Sequence, residues 1–128
     1  MSDFSVGVDL EPVASFRGKP IATHRRFYAR IFSAGELSEC ARRKDPYPGL
    51  TARFCAKEAM VKACSPIART YVTDFQVEKS GLRPILAARR ARPALRKLFA
   101  EYDIELSLSH TQEQAVAFVV VAKKGRPS

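Results

Sequence analysis

Residues 53–64, with the sequence RFCAKEAMVKAC, constrain the fold of this chain more than any other segment. The segment is rich in Ala, Lys, Glu and Met, which are good helix formers, and a proline follows shortly after it, so it predicts a helix. At about 100° per residue, Glu58 and Lys62 fall on one face of this helix. Arg53 and Lys57 fall on another face, so the helix presents charged groups in two separate directions.

A third side of the same helix carries the small residues Ala56, Ala59 and Ala63. A helix on a protein surface usually gathers its charged residues on one side, whereas this pattern indicates a smooth face that packs closely. Glu58 and Lys62 have the i,i+4 spacing of a simple ion pair, which contributes a few tenths of a kcal/mol. Taken alone, that ion pair is the simpler interpretation of the two charges.

Two further segments place polar groups at the ends of predicted strands. Residues 4–10 are rich in Val and Phe and predict a strand, with Asp9 near its end and Glu11 and Pro12 just after it. Side chains at the carboxyl end of a strand often face an open crevice, although two carboxylates there can also simply begin a turn. Near the C-terminus, residues 106–111 read LSLSHT and predict a strand with His110 at its end.

Together the three segments resemble the motifs of the holo-acyl-carrier-protein synthase family, the 4′-phosphopantetheinyl transferases. In that family a Gly-x-Asp strand, a Phe-x-x-Lys-Glu-x-x-x-Lys helix and a Ser-His-Thr strand end occur in this order. This chain has Gly7 and Asp9, the helix motif at residues 54–62, and residues 109–111 in the same order. The resemblance covers nearly the whole chain, and residues 1–122 are identified as one 4′-phosphopantetheinyl transferase domain.

The resemblance implies that the 4′-phosphopantetheine group of coenzyme A is transferred to a serine of an acyl carrier protein, with release of 3′,5′-ADP and a requirement for Mg²⁺. A small number of hard oxygen ligands suits Mg²⁺, which binds through one or two carboxylates and through substrate phosphates. The implied roles are metal binding by Asp9, Glu58 and Glu11, catalysis by Glu58, Lys62 and His110, and coenzyme A binding by Arg53, Lys57, Lys62, Ser109, His110 and Thr111.

Glu11 departs from the usual pattern, since the short members of the family have an apolar residue there and the larger surfactin-type members have a carboxylate. Residues i and i+2 of an extended chain point to the same side, so Glu11 would face the same side as Asp9. Pro12 disfavours a helical conformation for the residue before it and so keeps Glu11 extended. We therefore predict that Glu11 is a third metal ligand, directly or through a water, or the base for the serine proton. A carboxylate on the rim of the site is the alternative.

The chain has 128 residues and a mass of 14.2 kDa, which fits a single domain that is small for an enzyme with a large cofactor site. No apolar run approaches the roughly 20 residues that span a bilayer, so we expect no membrane association. No secretion signal opens the sequence, which predicts a cytoplasmic protein. The three cysteines lack a metal-binding spacing and are interpreted as reduced thiols, and Cys55 and Cys64 as small core residues of the helix.

The formal net charge of +9 and the pI near 9.9 favour an anionic partner, such as nucleic acid, coenzyme A or an acidic protein. Residues 15–30 are the densest basic segment of the first half and contain aromatic residues, but they lack a recognised nucleic-acid-binding signature. The family resemblance implies that this segment meets the acidic carrier protein, and the candidate residues are Arg17, Arg25, Arg26 and Arg30. A solvated helix face remains an equally good interpretation of each single arginine.

The remaining segments predict short helices and strands. Ser33 and Glu36 form a capping-box pattern that opens a helix, and residues 44–49, with two prolines and a glycine, predict a loop. The other predicted elements are strands at residues 72–78, 83–87, 104–109 and 115–122, a helix that begins at Pro93, and a disordered basic tail at residues 123–128.

The predicted fold is α+β, with a sheet of about five strands and helices packed on one face. The family resemblance adds a homotrimer whose sites lie between protomers, which suits a chain too small to enclose coenzyme A alone. The main alternative function is a non-catalytic basic module that binds nucleic acid or an acidic protein. That alternative explains the net charge, but it does not explain why Asp9, Glu58 and Lys62 occur in the order of the family motifs.

Overall fold

The computed structural model describes residues 3–125, which contain five strands and five α-helices. The strands are β1 (Phe4–Pro12), β2 (Phe75–Ser80), β3 (Arg83–Ala88), β4 (Tyr102–His110) and β5 (Gln114–Lys123). The helices are α1 (Ala14–Arg17), α2 (Arg25–Ile31), α3 (Ala34–Ala41), α4 (Tyr47–Cys64) and α5 (Pro93–Glu101), with 3₁₀ turns at Ile21–Thr23 and Val72–Asp74. The predicted α+β class and the number of strands are confirmed.

The strands form two antiparallel groups in place of one continuous sheet. Three of them pair in the order β1-β5-β4. Strands β2 and β3 form a hairpin, and its turn contains Gly81 with a φ of 66°, in the left-handed region that favours glycine. Between β3 and β4 the chain forms α5, which contacts both strands. The hairpin therefore meets β4 through side chains, including the Arg83–Glu105 ion pair, and not through a backbone ladder.

Helix α4 lies across β1 and β5 and joins the helices to the sheet. Its predicted smooth face is confirmed, because Ala56, Ala59 and Ala63 are fully buried in the main core. The closest approach is at Gly7 of β1, where an added Cβ atom would lie 2.0 Å from the Ala59 carbonyl oxygen and 2.8 Å from the Ala63 nitrogen. A side chain has no room at this position, so Gly7 sets the distance between strand and helix.

A second, aromatic cluster packs the short helices against α4. Phe16 of α1 lies in this cluster, with its ring centroid 5.4 Å from that of Phe54, 5.9 Å from Phe32 and 6.1 Å from Tyr28. Tilted and edge-to-face ring pairs at these distances add to the energy of burial. Because helices as short as α1 and α2 are not stable alone, this cluster holds them in place.

Two predicted boundaries differ from the structure. Helix α4 begins at Tyr47, so a proline and a glycine of the predicted loop lie in its first turn, where a proline is tolerated because the N–H groups have no intrahelical partner. Residues Val72–Asp74 form a 3₁₀ turn in place of the start of the predicted strand. The cause is local, since the Asp74 carboxylate accepts a hydrogen bond from the Tyr71 backbone N–H at 2.9 Å.

The predicted disordered tail begins too early. Strand β5 continues through Lys123, and the Lys124 backbone N–H donates to the Glu101 carbonyl oxygen at 2.9 Å. These bonds hold both lysines at the end of the sheet. Residues 126–128 of the predicted tail lie outside the described residues.

The face of the three-stranded sheet opposite α4 is apolar and exposed. Val6, Val8 and Leu10 of β1 and Phe118 of β5 point away from the helix, and Leu10 is 63% exposed. Helices therefore cover one face of this sheet, as predicted, and the other face is an apolar surface. No helix within residues 3–125 has the length and apolar character needed to cross a membrane.

Candidate active site

The acidic residues that the sequence singled out lie along one flank of α4, with Asp9 and Glu11 on β1 and Glu58 on the helix itself. Strand β1 continues through Pro12, so Asp9 and Glu11 point to the same side, as the sequence predicted. Lys62 of α4 donates to Asp9 Oδ1 at 3.1 Å and to the Val8 carbonyl oxygen at 2.9 Å. These bonds fasten α4 to the end of β1. We call Asp9, Glu11, Glu58 and Lys62 the carboxylate flank.

The two carboxylate oxygens of Asp9 differ in their hydrogen bonding. Asp9 is 8% exposed, and its Oδ2 atom is buried without a hydrogen-bond partner among the described residues. Buried polar atoms are nearly always bonded, and leaving one unpaired costs about 1–3 kcal/mol. An unpaired anionic oxygen at the edge of the core is therefore suited to a bound cation.

Glu11 and Glu58 add further negative charge around Asp9. Burial raises the pKa of Glu11 to about 7, and the neighbouring Asp9 carboxylate adds to this shift. Burial and the Asp9 charge also raise the pKa of Glu58. The hydrogen bond to Asp9 raises the pKa of Lys62. Carboxylates held this close disfavour one another's ionised form, and a bound cation would remove that penalty.

The carboxylate flank fits a metal ion that is held partly by its substrate. Within residues 3–125, no three His, Cys, Asp or Glu side chains converge into a ligand set of their own, so the predicted direct set of three carboxylates is not formed. Mg²⁺ needs only one or two carboxylates when substrate phosphates and waters complete its shell. Asp9 and Glu58 meet that requirement.

The opposite flank of α4 borders a basic cavity of about 200 Å³. Arg53 and His110, two of the predicted coenzyme A ligands, both line this cavity, together with Arg43 and Lys79. Arg43 and Arg53 approach each other there, and like charges that converge on one cavity repel unless an anion lies between them. The basic cavity, defined by these four residues, is therefore suited to a phosphate group.

Gly49, in the first turn of α4, lets two arginines of the basic cavity come together. An added Cβ atom at Gly49 would lie 2.6 Å from Arg43 Nη1 and 3.3 Å from Arg53 Nη1. Arg53 donates from Nη1 to the Gly49 carbonyl oxygen at 3.2 Å, and its buried Nε has no partner within residues 3–125. Sequence reasoning missed Arg43. The available signal was a glycine four residues before Arg53, which lies under Arg53 on the same side of the helix.

The structure contradicts the predicted role of Lys57 in coenzyme A binding. Its side chain is fully buried, and its Nζ donates to Glu36 Oε1 and to the Ile31 carbonyl oxygen, both at 2.6 Å. Burial lowers the pKa of Lys57 to about 8, although the Glu36 carboxylate acts in the opposite direction. Helical spacing places Lys57 on the same face of α4 as Arg53. One turn after Arg53, however, α3 covers this face, and the Lys57 ammonium does not reach solvent.

The Ser-His-Thr segment does not present all three side chains to one place. His110 points to the α4 side of the sheet, whereas Ser109 points to the opposite, apolar face. The Thr111 hydroxyl accepts hydrogen bonds from the backbone N–H groups of Glu113 and Gln114, both at 3.1 Å, and so closes the turn between β4 and β5. The role predicted for Ser109 therefore requires a ligand that approaches from the apolar face.

The carboxylate flank and the basic cavity lie on different sides of α4. Glu11 of β1 and His110 of β4 are both in register with Ala115 of β5, which lies between them. Neighbouring strands are about 4.8 Å apart, so the two residues are separated by two strand spacings across the sheet. Since α4 lies over the intervening strand, the carboxylate flank and the basic cavity do not open into one common cavity in the described part of the chain.

The predicted carrier-docking residues lie on α2 and near it. Arg25, Arg26 and Arg30 are exposed on this helix, and the first two border a shallow depression of about 460 Å³. Arg17 of α1 is also exposed, but it forms an ion pair with Asp45 at 2.8 Å. The three α2 arginines therefore form a basic surface, and Arg17 is tied to a loop beside it.

Known proteins of one family match this chain along most of its length. Residues 5–120 match the 4′-phosphopantetheinyl transferase superfamily. The chain is 33% identical to the holo-[acyl-carrier-protein] synthase of Moorella thermoacetica, over 90% of this chain and 91% of that protein. It is 34% identical to the holo-[acyl-carrier-protein] synthase of Dehalococcoides mccartyi, over 89% of this chain and 94% of that protein.

Solved structures share the fold. The crystal structure of holo-[acyl-carrier-protein] synthase from Neisseria meningitidis matches with a TM-score of 0.75 at 27% identity, and the match covers 93% of this chain and 98% of that chain. The Chronobacterium ammoniagenes ACPS-CoA complex has the same TM-score of 0.75 at 23% identity, over 94% of this chain and 98% of that chain, and so shares the fold.

Proposed function

The chain belongs to the 4′-phosphopantetheinyl transferase superfamily, and on that premise we propose that it is a holo-acyl-carrier-protein synthase. In the proposed reaction a serine hydroxyl oxygen of an acyl carrier protein bonds to the β-phosphorus of coenzyme A. The bond from that phosphorus to the bridging oxygen breaks, and 3′,5′-ADP leaves with the electron pair. The serine proton passes to a base, and the carrier keeps the 4′-phosphopantetheine group.

Asp9 and Glu58 are the residues that we propose to hold Mg²⁺. The single observation that carries this proposal is the buried and unpaired Oδ2 of Asp9, on the strand end that faces α4. Glu58 lies close enough for the Asp9 charge to raise its pKa, so both carboxylates gain from a shared cation. Bound there, Mg²⁺ supplies positive charge that stabilises the pyrophosphate oxygens of coenzyme A.

In this proposal Lys62 stabilises the negative charge of the leaving phosphate, and Glu11 accepts the serine proton. The Lys62 side chain is 53% exposed, so its ammonium can donate to a leaving phosphate oxygen as well as to Asp9. Glu11 is the proposed acceptor of the serine proton, and a cation bound beside Asp9 would favour the ionised form that this role needs. A water between Glu11 and the metal would let one carboxylate serve both predicted roles.

The nucleotide phosphates are proposed to bind in the basic cavity. Arg53 and Arg43 converge at Gly49, and guanidinium groups donate paired, charge-assisted hydrogen bonds to phosphate oxygens. His110 and Lys79 border the same cavity, and Lys79 also forms an ion pair with Glu39 at 3.0 Å. Lys57 has no part in this binding because its ammonium is enclosed.

We propose that the complete site forms between two protomers of a homotrimer. The carboxylate flank and the basic cavity are on opposite flanks of α4, and the cavity of about 200 Å³ is smaller than the roughly 300–1,000 Å³ typical of ligand sites. The apolar sheet face with Val6, Val8, Leu10 and Phe118 supplies the surface that subunit association would bury. Ser109 points to this face, so assembly would also bring it toward a neighbouring protomer.

The acidic carrier protein is proposed to dock on α2. Arg25, Arg26 and Arg30 present positive charge there, and the net charge of +9 would accelerate the approach of an acidic partner. The same charges suit a non-catalytic basic module, so docking alone does not distinguish the two functions.

The test is the mass of an acyl carrier protein after incubation with coenzyme A and this protein. We expect a mass gain equal to one 4′-phosphopantetheine group, lost when Mg²⁺ is chelated and absent for a carrier whose acceptor serine is replaced by alanine. Formation of 3′,5′-ADP in equal amount should accompany it. A folded protein that leaves acidic carriers unmodified with Mg²⁺ present would return the chain to the class of basic binding modules.

A further inference from the structure

The C-terminal end of helix α2 is held by two cations from other elements. Arg89, just after β3, donates from Nη2 to the Ala29 carbonyl oxygen and from Nη1 to the Arg30 carbonyl oxygen, both at 2.7 Å. Lys57 donates to the next carbonyl oxygen, that of Ile31, at 2.6 Å. The last three carbonyl groups of this helix are therefore all paired with positive charges. We call Arg89 and Lys57 the α2 clamp.

Both residues of the α2 clamp are fixed by other contacts. Lys57 forms a fully buried ion pair with Glu36 at 2.6 Å, and the other oxygen of Glu36 accepts from the Val77 backbone N–H of β2 at 2.9 Å. The Arg89 backbone N–H donates to the Asp74 carbonyl oxygen at 2.7 Å. The clamp thus connects α2 to α3, to α4 and to the β2–β3 hairpin.

These contacts matter because α2 is short and strongly charged. A seven-residue helix is not stable alone, so its direction depends on what holds it. The C-terminus of a helix also carries a partial negative charge, which cations in the last turn offset. Left unpaired, that negative end would lie beside Arg30 and would weaken the attraction of this surface for an acidic protein.

We propose that Arg89 is a positioning residue for the carrier protein. Together with Lys57 it holds α2 at a fixed orientation relative to α4, so that a carrier docked on α2 presents its serine to the carboxylate flank. This inference rests on the proposed transfer function and adds to it a residue that meets neither the substrate nor the metal. Of the two clamp residues, Arg89 is the better one to test because it is partly exposed, whereas replacing the enclosed Lys57 would disturb the core.

The experiment compares Arg89→Ala with Arg89→Lys and Arg96→Ala in steady-state transfer assays. Arg89→Ala loses two charge-assisted hydrogen bonds to α2, so the KM for carrier should rise about tenfold while the KM for coenzyme A changes less than about twofold. Arg89→Lys keeps the charge and can reach one carbonyl, so it should recover part of the loss. Arg96→Ala removes the same charge from the exposed side of α5 and should change the KM for carrier less than about twofold.

Three results would overturn the proposal. One is an Arg89→Ala enzyme whose KM for carrier equals that of Arg96→Ala, another is a rise in both KM values together, and the third is an Arg89→Lys enzyme no better than Arg89→Ala. A wild-type protein that modifies no carrier would contradict the proposed function instead. The clamp would then be judged by the affinity of the same variants for an acidic carrier protein, where about tenfold weaker binding of Arg89→Ala supports it and equal binding overturns it.

Discussion

Helix α4 carries two lysines that each donate to a carboxylate on another element, and the two pairs differ in how completely they are bonded. Lys57 and Glu36 are fully buried, and the Glu36 oxygens also accept two backbone N–H groups. Lys62 is about half exposed, and its partner Asp9 keeps one buried oxygen without a hydrogen bond in the described part of the chain. We call the Lys57–Glu36 pair saturated, because both of its carboxylate oxygens are hydrogen-bonded. We call the Lys62–Asp9 pair unsaturated, because one carboxylate oxygen is not hydrogen-bonded to any described residue.

This difference separates a structural role from a chemical one. A saturated buried pair offers a ligand nothing, because a new contact would have to break existing hydrogen bonds in a region where unpaired charge is costly. A pair with an unpaired oxygen and an exposed ammonium can bind a cation and an anion with little rearrangement. The number of free bonding positions, more than the type of residue, distinguishes the two lysines.

The largest expected effect comes from breaking the saturated pair. Lys57→Met leaves the Glu36 carboxylate buried without its cation, so the free energy of unfolding should fall by about 3–5 kcal/mol. Urea denaturation followed by circular dichroism measures this change. Lys62→Met is the matched control and should lower the free energy of unfolding by clearly less than Lys57→Met, because the Lys62 side chain is 53% exposed and water can reach the place of its ammonium. Equal losses for the two variants would remove the distinction between the pairs.

The unsaturated pair should show the opposite behaviour, with a loss of activity and little loss of stability. Asp9→Asn and Glu58→Gln should each lower the transfer rate on the order of 10²-fold, because each removes a charge that is proposed to hold Mg²⁺. Their free energies of unfolding should stay near that of the wild type, since a repulsion between carboxylates is relieved at the same time. Transfer rates close to the wild-type rate in both variants would exclude this flank as the metal site.

Glu11 is the residue of the carboxylate flank whose role is least fixed, since it can act as a metal ligand or base, or can lie on the rim of the site. Glu11→Gln should lower the transfer rate about tenfold and raise the Mg²⁺ concentration needed for half-maximal rate, as expected for a base or a water-bridged ligand. A normal rate with an unchanged Mg²⁺ requirement would place Glu11 on the rim of the site.

The raised pKa of Glu11 also predicts a pH dependence of stability in metal-free protein. Between pH 4.5 and about 7 the folded protein holds a proton on Glu11 that the unfolded chain has released, so the free energy of unfolding should fall as pH rises through this window. Glu11→Gln should flatten that slope. Glu113→Gln, at an exposed position in the β4–β5 turn, is the control and should leave it in place.

The last prediction concerns charges that belong to neither pair. Reversing Arg25 and Arg26 to glutamate should raise the KM for carrier at least as much as Arg89→Ala does and leave the KM for coenzyme A unchanged, because these residues lie on α2 and away from both flanks of α4. The difference between variant and wild type should shrink at high salt. A KM for carrier that stays at the wild-type value would move docking to another surface.

Most of the fold could be predicted from the sequence because it depends on local sequence patterns. The smooth face of α4, the Ser33–Glu36 capping box and the alternation of the strands each depend on residues close in the chain, and each is present in the structure. The separation of the β2–β3 hairpin from the other strands depends on how α5 packs, which no local pattern records.

The candidate site was accessible only where a motif fixed it. The side shared by Asp9 and Glu11 followed from the period of an extended strand and from Pro12. Lys57 was misassigned because helical spacing gives a direction but does not say that α3 and Glu36 cover it. Arg43 was missed because its approach to Arg53 depends on contact with Gly49, which forms only when the chain has folded.

The contact at Gly7 ties the chemistry of this protein to its main-chain packing. A methyl group there would lie 2.0 Å from the Ala59 carbonyl oxygen, so β1 and α4 would have to separate, and Asp9 follows two residues along the same strand. Misplacing a reacting group by about 1 Å can lower a rate on the order of 10²-fold. In evolutionary terms, position 7 would then be subject to selection on catalysis as well as on folding, although it has no functional group.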